Sequence, residues 1–133
     1  MPGQSLPRPG ANLDNITFHN LVAANTSANG SDQSNVFARG ITVIVDITAI
    51  TGTTPTLTVT IEGKDPVSGK YYTLLASTAL NAVGTTALRI YPGLAVAANS
   101  AANLPLPKTY RVRTTIGGTT PAVTAKISGS LHI

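Results

Sequence analysis

A strict alternation of apolar and polar residues is the feature that most constrains the fold of this chain. Between Val123 and Ile133, every second residue is apolar or glycine, and Thr, Lys, Ser and His stand between them. Leu57, Val59 and Ile61 repeat the pattern with threonines in between. Because successive side chains of a strand point to opposite sides, this period of two predicts strands with one buried face. The β-branched residues Thr, Val and Ile also favour strands.

Turn-forming sequences divide the chain into short predicted strands. The strands are expected at residues 15–21, 36–38, 41–50, 56–62, 71–76, 85–91, 110–115 and 123–133. The segments TGTTP, GKDPVSGK, PG and IGGTTP between them have the composition of turns. GKDPVSGK predicts a β-hairpin, and AVAANSAANLPLP predicts a long connection that crosses between sheets.

Seven or eight short strands with turns about every ten residues indicate an all-β fold. The expected architecture is an antiparallel β-sandwich, either immunoglobulin-like or jelly-roll-like, and the pattern leaves both topologies open. At 133 residues the chain fits one domain, which we assign to residues 13–133. Residues 1–12 are rich in Pro and Gly, so they are expected to form an extended N-terminal arm.

The composition favours a protein that packs against other proteins. Only 11% of residues are charged, about half the usual share, so Thr, Ser, Asn and Gly must cover much of the surface. The net charge of +4 permits contact with nucleic acid or with an acidic protein. However, the nine cations are scattered and few aromatics accompany them, so no nucleic-acid partner is expected.

The sequence contains neither the cysteines of a secreted disulfide framework nor an apolar segment for a membrane. With no Cys there is also no thiolate metal site. The segment MPGQSLPRPGANLDN lacks the apolar region of a secretory signal, and no run approaches the ~20 apolar residues of a membrane span. We therefore expect synthesis in a cytoplasm and no membrane partner.

Catalytic chemistry is not expected, because the chain offers few of the required side chains. Its two histidines, His19 and His132, are interpreted as ordinary strand residues rather than general bases. The acids are too few and too dispersed for a carboxylate pair or a calcium loop. They are Asp14, Asp32, Asp46, Glu62 and Asp65. The sequence therefore predicts no enzyme activity, no cofactor and no metal.

The stretch TLTVTIEGKDPVSGKYYTLLASTALNAVGTTALRIYPGL resembles small virion structural proteins of tailed bacteriophages, especially phages of actinobacteria. The resemblance covers roughly residues 40–133, and IEGKDPVSGKYYTLL followed by TTALRIYPGL is its most specific part. It implies a head-decoration protein that binds the major capsid protein and bridges capsid subunits. It also implies a homo-oligomer, with a trimer favoured, on the capsid exterior of a virion assembled in the host bacterial cytoplasm.

Two alternatives stay open. One is a minor tail or head-tail structural protein. The other is a β-sandwich module that binds carbohydrate or a host surface, for which exposed aromatic platforms are needed. Besides the two phenylalanines, Phe18 and Phe37, the candidate platforms are Tyr71, Tyr72, Tyr91 and Tyr110. Tyr71 and Tyr72 must face opposite sides of a strand, so one of them is expected in the core.

The candidate partner-binding residues lie in the arm and on one strand. In the arm they are Pro2, Leu6, Pro7, Arg8 and Pro9. Arg8 is the expected partner of an acidic capsid group. Arg111 and Arg113 share a strand face and are a second candidate contact, with a solvated face as the alternative interpretation.

Overall fold

The structure, a computed structural model, describes residues 12–133, with side chains from Asn15 onward. This part of the chain is all-β and contains no helix, which confirms the predicted fold class. Its eight strands are β1 (Asn12–Ala24), β2 (Ala28–Asn29), β3 (Gln33–Ser34), β4 (Gly40–Lys64), β5 (Tyr71–Ala76), β6 (Gly84–Ile90), β7 (Ala101–Ala102) and β8 (Thr109–His132). Apart from Asn12, the predicted arm lies outside the described residues.

Two long antiparallel strands, β4 and β8, form the spine of the sheet. They pair from Gly40 opposite His132 to Gly63 opposite Tyr110. β1, β2 and β3 pair with the other edge of β8, while β5 and β6 pair with the other edge of β4. Each half of the β4–β8 ribbon therefore carries its own neighbouring strands.

The sheet is mixed, so the expectation of a purely antiparallel sheet was wrong at one pair. β7 runs parallel to β6, with Arg89 opposite Ala101 and Ile90 opposite Ala102. A parallel neighbour requires the chain to cross back to the same end of the sheet. Residues 91–100 make that return, within a segment where the sequence predicted only a connection.

Both halves of the ribbon contribute to one hydrophobic core, and the predicted alternation accounts for most of it. Its central members are Ile41, Val43, Val45, Ile47, Leu57, Val59, Ile61, Val112, Val123, Ala125 and Ile127, all buried. The alternation fails at Ala49, which was expected on the buried face but is exposed. A register shift between Ile47 and Ala49 explains the difference, because an irregularity in the ladder changes the face that later residues present.

The segments TGTTP and GGTTP lie inside β4 and β8, so the prediction that they are turns was wrong. They pair with each other across the ribbon, with Thr53 opposite Thr119. Gly52 (φ 123°) and Gly118 (φ 104°) adopt positive φ, as do Thr54 and Thr120 at 47°. We call residues 51–55 and 117–121 together the crossing corner.

The crossing corner is closely packed at the backbone. A Cβ atom on Gly52 would lie 2.8 Å from the main-chain oxygen of Thr120, and one on Gly118 would lie 2.6 Å from that of Thr54. Glycine is required at both positions by φ and by space. β4 and β8 therefore stay paired through this irregular region instead of ending there. The Gly, Thr and Pro residues of such a bulge resemble the composition of a turn.

The remaining predictions are partly confirmed. The hairpin around residues 65–70 is present, with Lys64 opposite Tyr71. Residues 36–38, predicted as a strand, form a loop, and the preceding stretch predicted as a loop contains the short strands β2 and β3. The side chain of Asn35 stabilises this loop through hydrogen bonds to the main chain of Ala38 and Leu106.

Candidate partner-binding surfaces

The solvent side of the first half of the ribbon presents short side chains across four strands. Register places two rows of residues over β1, β8, β4 and β6. The rows are Asn15–Ser130–Thr42–Arg89 and Thr17–Ser128–Ile44–Ala87, which together we call the outer face. All eight are half-buried or exposed, and Ile44 is the only large apolar side chain among them. Apart from Ile44 and Arg89 these side chains are short, which allows another protein to approach the sheet closely.

The two arginines predicted on one strand face have different environments. Arg111 donates from Nε to Glu62 Oε1 at 2.8 Å, and the two side chains are only 15% and 9% exposed. The guanidinium also lies 3.4 Å from the ring centroid of Tyr71. Arg111 is therefore held within the domain by an ion pair and by cation–π stacking.

Arg113 is exposed, opposite Thr60 on β4 and Asn29 on β2. Within the described residues it forms no ion pair. Arg113 is therefore accessible to a partner, whereas Arg111 is already paired with Glu62. The arm candidates Pro2, Leu6, Pro7, Arg8 and Pro9 lie outside the described residues.

Asp32 connects the loop between β2 and β3 to the sheet. Its carboxylate accepts hydrogen bonds from Tyr71 OH at 2.6 Å and from Lys64 Nζ at 3.0 Å. These bonds, with that from Tyr71 the stronger influence, hold the pKa of Asp32 below its usual value. The same contact raises the pKa of Lys64. No sequence signal links Asp32 to residues more than 30 positions away, so sequence reasoning missed this cluster.

A groove of about 420 Å³ lies where β4 begins and β8 ends. It is lined by Ile41, Thr42, Arg89, Ile90, Tyr91, Leu94, His132 and Ile133. Ile41 and Ile90 are fully buried beneath the groove, and Arg89 is exposed. The accessible apolar lining of the groove comes from the half-buried residues Tyr91, Leu94 and Ile133. Thr42 Oγ1 lies 2.8 Å from His132 Nε2, and Tyr91 OH donates to the main-chain oxygen of Ile133 at 2.6 Å.

Beside the groove, buried Asn35 shapes a loop that exposes two apolar side chains. Asn35 donates to the oxygens of Ala38 at 2.7 Å and Leu106 at 3.1 Å, and its Oδ1 accepts from Ala38 N at 2.9 Å. Val36 and Phe37, between these anchors, are 76% and 48% exposed. The loop is thus fixed at both ends while its apolar tip faces solvent.

The candidate chemical groups are not assembled into a reactive site within the described residues. His19 Nε2 lies 2.7 Å from the Val112 oxygen, and His132 contacts Thr42. The Asp65 carboxylate accepts from Val67 N and Ser68 Oγ in its own turn, which lowers its pKa. No group of three or more His, Asp or Glu is placed to hold a metal ion in residues 12–133.

The tyrosines differ from expectation. The core tyrosine is Tyr110, which is fully buried, and neither Tyr71 nor Tyr72 takes that position. Tyr72 is 47% exposed, whereas Arg111 covers Tyr71 and Tyr91 is bonded to Ile133. All four tyrosines lie in the described range. Among them, only Tyr72 has a ring exposed enough to stack on a sugar or another flat ligand.

Comparisons with known proteins give no relative from which a function can be transferred. No protein-family model, curated protein or solved structure matches this chain. Across residues 12–133 no helix is long and apolar enough to cross a membrane. The surfaces of the described residues are therefore the basis on which a function can be proposed.

Proposed function

We propose that this chain is a non-enzymatic structural protein of a tailed-phage virion, and specifically a head-decoration protein that bridges capsid subunits. The two halves of its sheet pack as a β-sandwich, and residues 1–12 act as an N-terminal arm that anchors to the major capsid protein. The protein assembles as a homo-oligomer, with a trimer favoured, on the capsid exterior.

The outer face is the observation that carries this proposal. Four paired strands present Asn, Ser, Thr and Ala together with one large apolar residue, Ile44, and one charged residue, Arg89. Such a surface can pack closely against a protein while desolvating only one charge. Decoration of a repeating shell also multiplies weak contacts, because each subunit binds next to others. The sequence resemblance to phage virion proteins agrees with this interpretation.

The proposal is tested by binding the full-length protein to phage capsids stripped of accessory proteins, with occupancy measured by cryo-electron microscopy. A version lacking residues 1–12 tests the arm, and Ile44→Arg tests the outer face. Val67→Arg is the matched control, because Val67 is 94% exposed in the β4–β5 turn and lies away from the outer face.

We expect saturating occupancy by the full-length protein, a strong loss with Ile44→Arg and without residues 1–12, and no loss with Val67→Arg. Absence of capsid binding by the full-length protein would contradict head decoration. Binding to tails alone, or to host glycans alone, would instead support a tail component or a surface-binding module.

A further inference from the structure

Three segments meet at the end of the domain where β4 begins and β8 ends. Arg39 N donates to the His132 oxygen at 2.8 Å, and Leu106 N donates to the Arg39 oxygen at 2.8 Å. Arg39 thus joins the loop of Asn35 to the last strand and to the segment before β8. We call this region the basic end and define it by its exposed residues. They are Val36, Phe37, Arg39, Arg89, Leu104 and Lys108.

The cations of the basic end have no acidic partners in the described part of the chain. Eight cations have described side chains, and two of them, Lys64 and Arg111, form ion pairs. That leaves six, and three of these six are Arg39, Arg89 and Lys108. The acid closest along the chain to this loop, Asp32, is already bonded to Lys64 and Tyr71. These three cations are exposed and belong to no ion pair of the described residues, so they are available to an acidic partner.

The same region exposes apolar side chains on an ordered backbone. Val36, Phe37 and Leu104 are 76%, 48% and 39% exposed. Asn35 fixes the loop through its side chain, and its own N–H donates to the Lys108 oxygen at 2.7 Å. Fixing a loop before it binds reduces the entropy lost on association. The groove, whose accessible apolar lining comes from Tyr91, Leu94 and Ile133, adds a recess that an apolar side chain can fill.

We propose that the basic end binds an acidic polypeptide segment in which carboxylates flank large apolar residues. The carboxylates pair with Arg39, Arg89 and Lys108, and the apolar side chains pack on Phe37 and in the groove. The inference rests on the proposed function only for the identity of the partner, which would be an acidic segment of the shell. The binding itself depends on the surface of this domain alone.

Charge and apolar exposure together favour a polypeptide over nucleic acid. A phosphate backbone would pair with the cations but would gain nothing from Val36 or Leu104. Nucleic-acid bases stack on aromatic rings, and Phe37 is the only exposed aromatic ring of the basic end. An acidic peptide uses both kinds of side chain. Binding of this type gains on-rate from the charges and holds its complex through the apolar contacts.

The test is a titration of the full-length protein, followed by two-dimensional amide NMR, with a short peptide in which glutamate alternates with leucine. We expect shifts at residues 36–41, 89–94 and 104–108, and binding about tenfold weaker in the Arg39→Glu/Arg89→Glu variant. The matched control is Lys70→Glu/Lys126→Glu, which changes the net charge equally at exposed sites outside the basic end. Urea unfolding checks that both variants are folded.

Three results would overturn the inference: no binding of the peptide, shifts elsewhere on the domain, or equal weakening in both variants. Equal or tighter binding of a lysine-leucine peptide would also overturn it, as would preferential binding of single-stranded oligothymidylate. Because the titration contains no capsid, these results leave the proposed function to its own experiment. Conversely, peptide binding without capsid binding would overturn head decoration and retain the basic end as a binding surface.

Discussion

His19 Nε2 lies 2.7 Å from the main-chain oxygen of Val112, and this hydrogen bond joins the two halves of the sheet. β1, which carries His19, pairs with the C-terminal half of β8, whereas Val112 belongs to the N-terminal half. A carbonyl oxygen only accepts, so Nε2 must carry the proton. The same oxygen also accepts from Gly30 N at 2.9 Å.

Replacing His19 should therefore destabilise the domain. We expect His19→Ala to lower the free energy of unfolding by about 1–3 kcal/mol, since it removes a partly buried hydrogen bond and the packing of the ring. Urea denaturation measures the change. Asn20→Ala, at the exposed neighbouring position, is the control and should stay within about 0.5 kcal/mol of the wild type. Equal effects of the two substitutions would contradict a bridging role for His19.

Glu62 and Arg111 should behave as a nearly buried ion pair. We expect Glu62→Ala to cost about 3 kcal/mol, because it leaves the Arg111 guanidinium without its carboxylate partner in a site where the side chain is only 15% exposed. The Glu62→Met/Arg111→Met double variant should cost less than the single one. A double-mutant cycle with the single variants Glu62→Met and Arg111→Met, measured by urea unfolding, checks the coupling. Strictly additive losses would show that the pair is not coupled.

The acid dependence of stability should contain a contribution from Asp32. Its pKa is lower in the folded state than the ordinary value of 3.8, so its stabilising effect is complete above about pH 4. The effect is lost as the pH falls through the folded-state pKa, because the protonated carboxyl binds Tyr71 and Lys64 less well. We expect the melting temperature of Asp32→Asn to fall less steeply below pH 4 than that of the wild type.

Tyr71→Phe should raise the pKa of Asp32 towards its ordinary value, because the Tyr71 hydroxyl is the largest cause of the shift. Carboxyl NMR titration measures this pKa directly. Tyr72→Phe is the matched control, since Tyr72 is adjacent in sequence but forms no hydrogen bond with Asp32. An unchanged Asp32 titration in Tyr71→Phe would refute the assigned cause.

The Tyr110 hydroxyl should contribute little to stability despite complete burial. The hydroxyl has no hydrogen-bond partner among the described residues. Burial raises the pKa of Tyr110 to about 12. Tyr110→Phe removes an unsatisfied polar atom and keeps the ring against Phe18, so we expect unfolding free energy equal to the wild type or up to about 1 kcal/mol higher. A Tyr110→Phe variant less stable than the wild type in urea unfolding would instead reveal a partner for the hydroxyl.

The crossing corner should be sensitive to a single methyl group. Gly118→Ala places a Cβ 2.6 Å from the Thr54 oxygen at a residue with φ of 104°, and we expect it to cost about 2 kcal/mol or more. Gly117→Ala is the control, because its nearest neighbour is the movable hydroxyl of Thr56. Thermal denaturation of both variants provides the comparison, and similar melting temperatures would show that the corner tolerates a side chain.

The sequence predicts strands well where burial determines the pattern. Ile41 to Ile47 and Val123 to Ile127 alternate as expected because one face must enter the core. Strand prediction fails where backbone geometry, rather than burial, determines whether a strand ends. TGTTP and GGTTP have the same turn-like composition whether the chain reverses direction or only bends. Prediction from the sequence also fails for contacts between distant positions. Arg111 was identified as a candidate, but nothing local indicates that Glu62 and Tyr71 hold it, or that Asn35 exposes Phe37.

The continuity of β4 and β8 determines when this chain can fold. Gly40 pairs with His132, and Thr53 pairs with Thr119, so the central ladder joins positions 92 and 66 residues apart. Closing such large loops costs entropy before any pairing energy is recovered, which slows folding. On the ribosome, β4 must wait with one edge unpaired until β8 emerges. Its apolar face is meanwhile open to neighbouring nascent chains, so folding yield should depend on how quickly synthesis delivers the last strand.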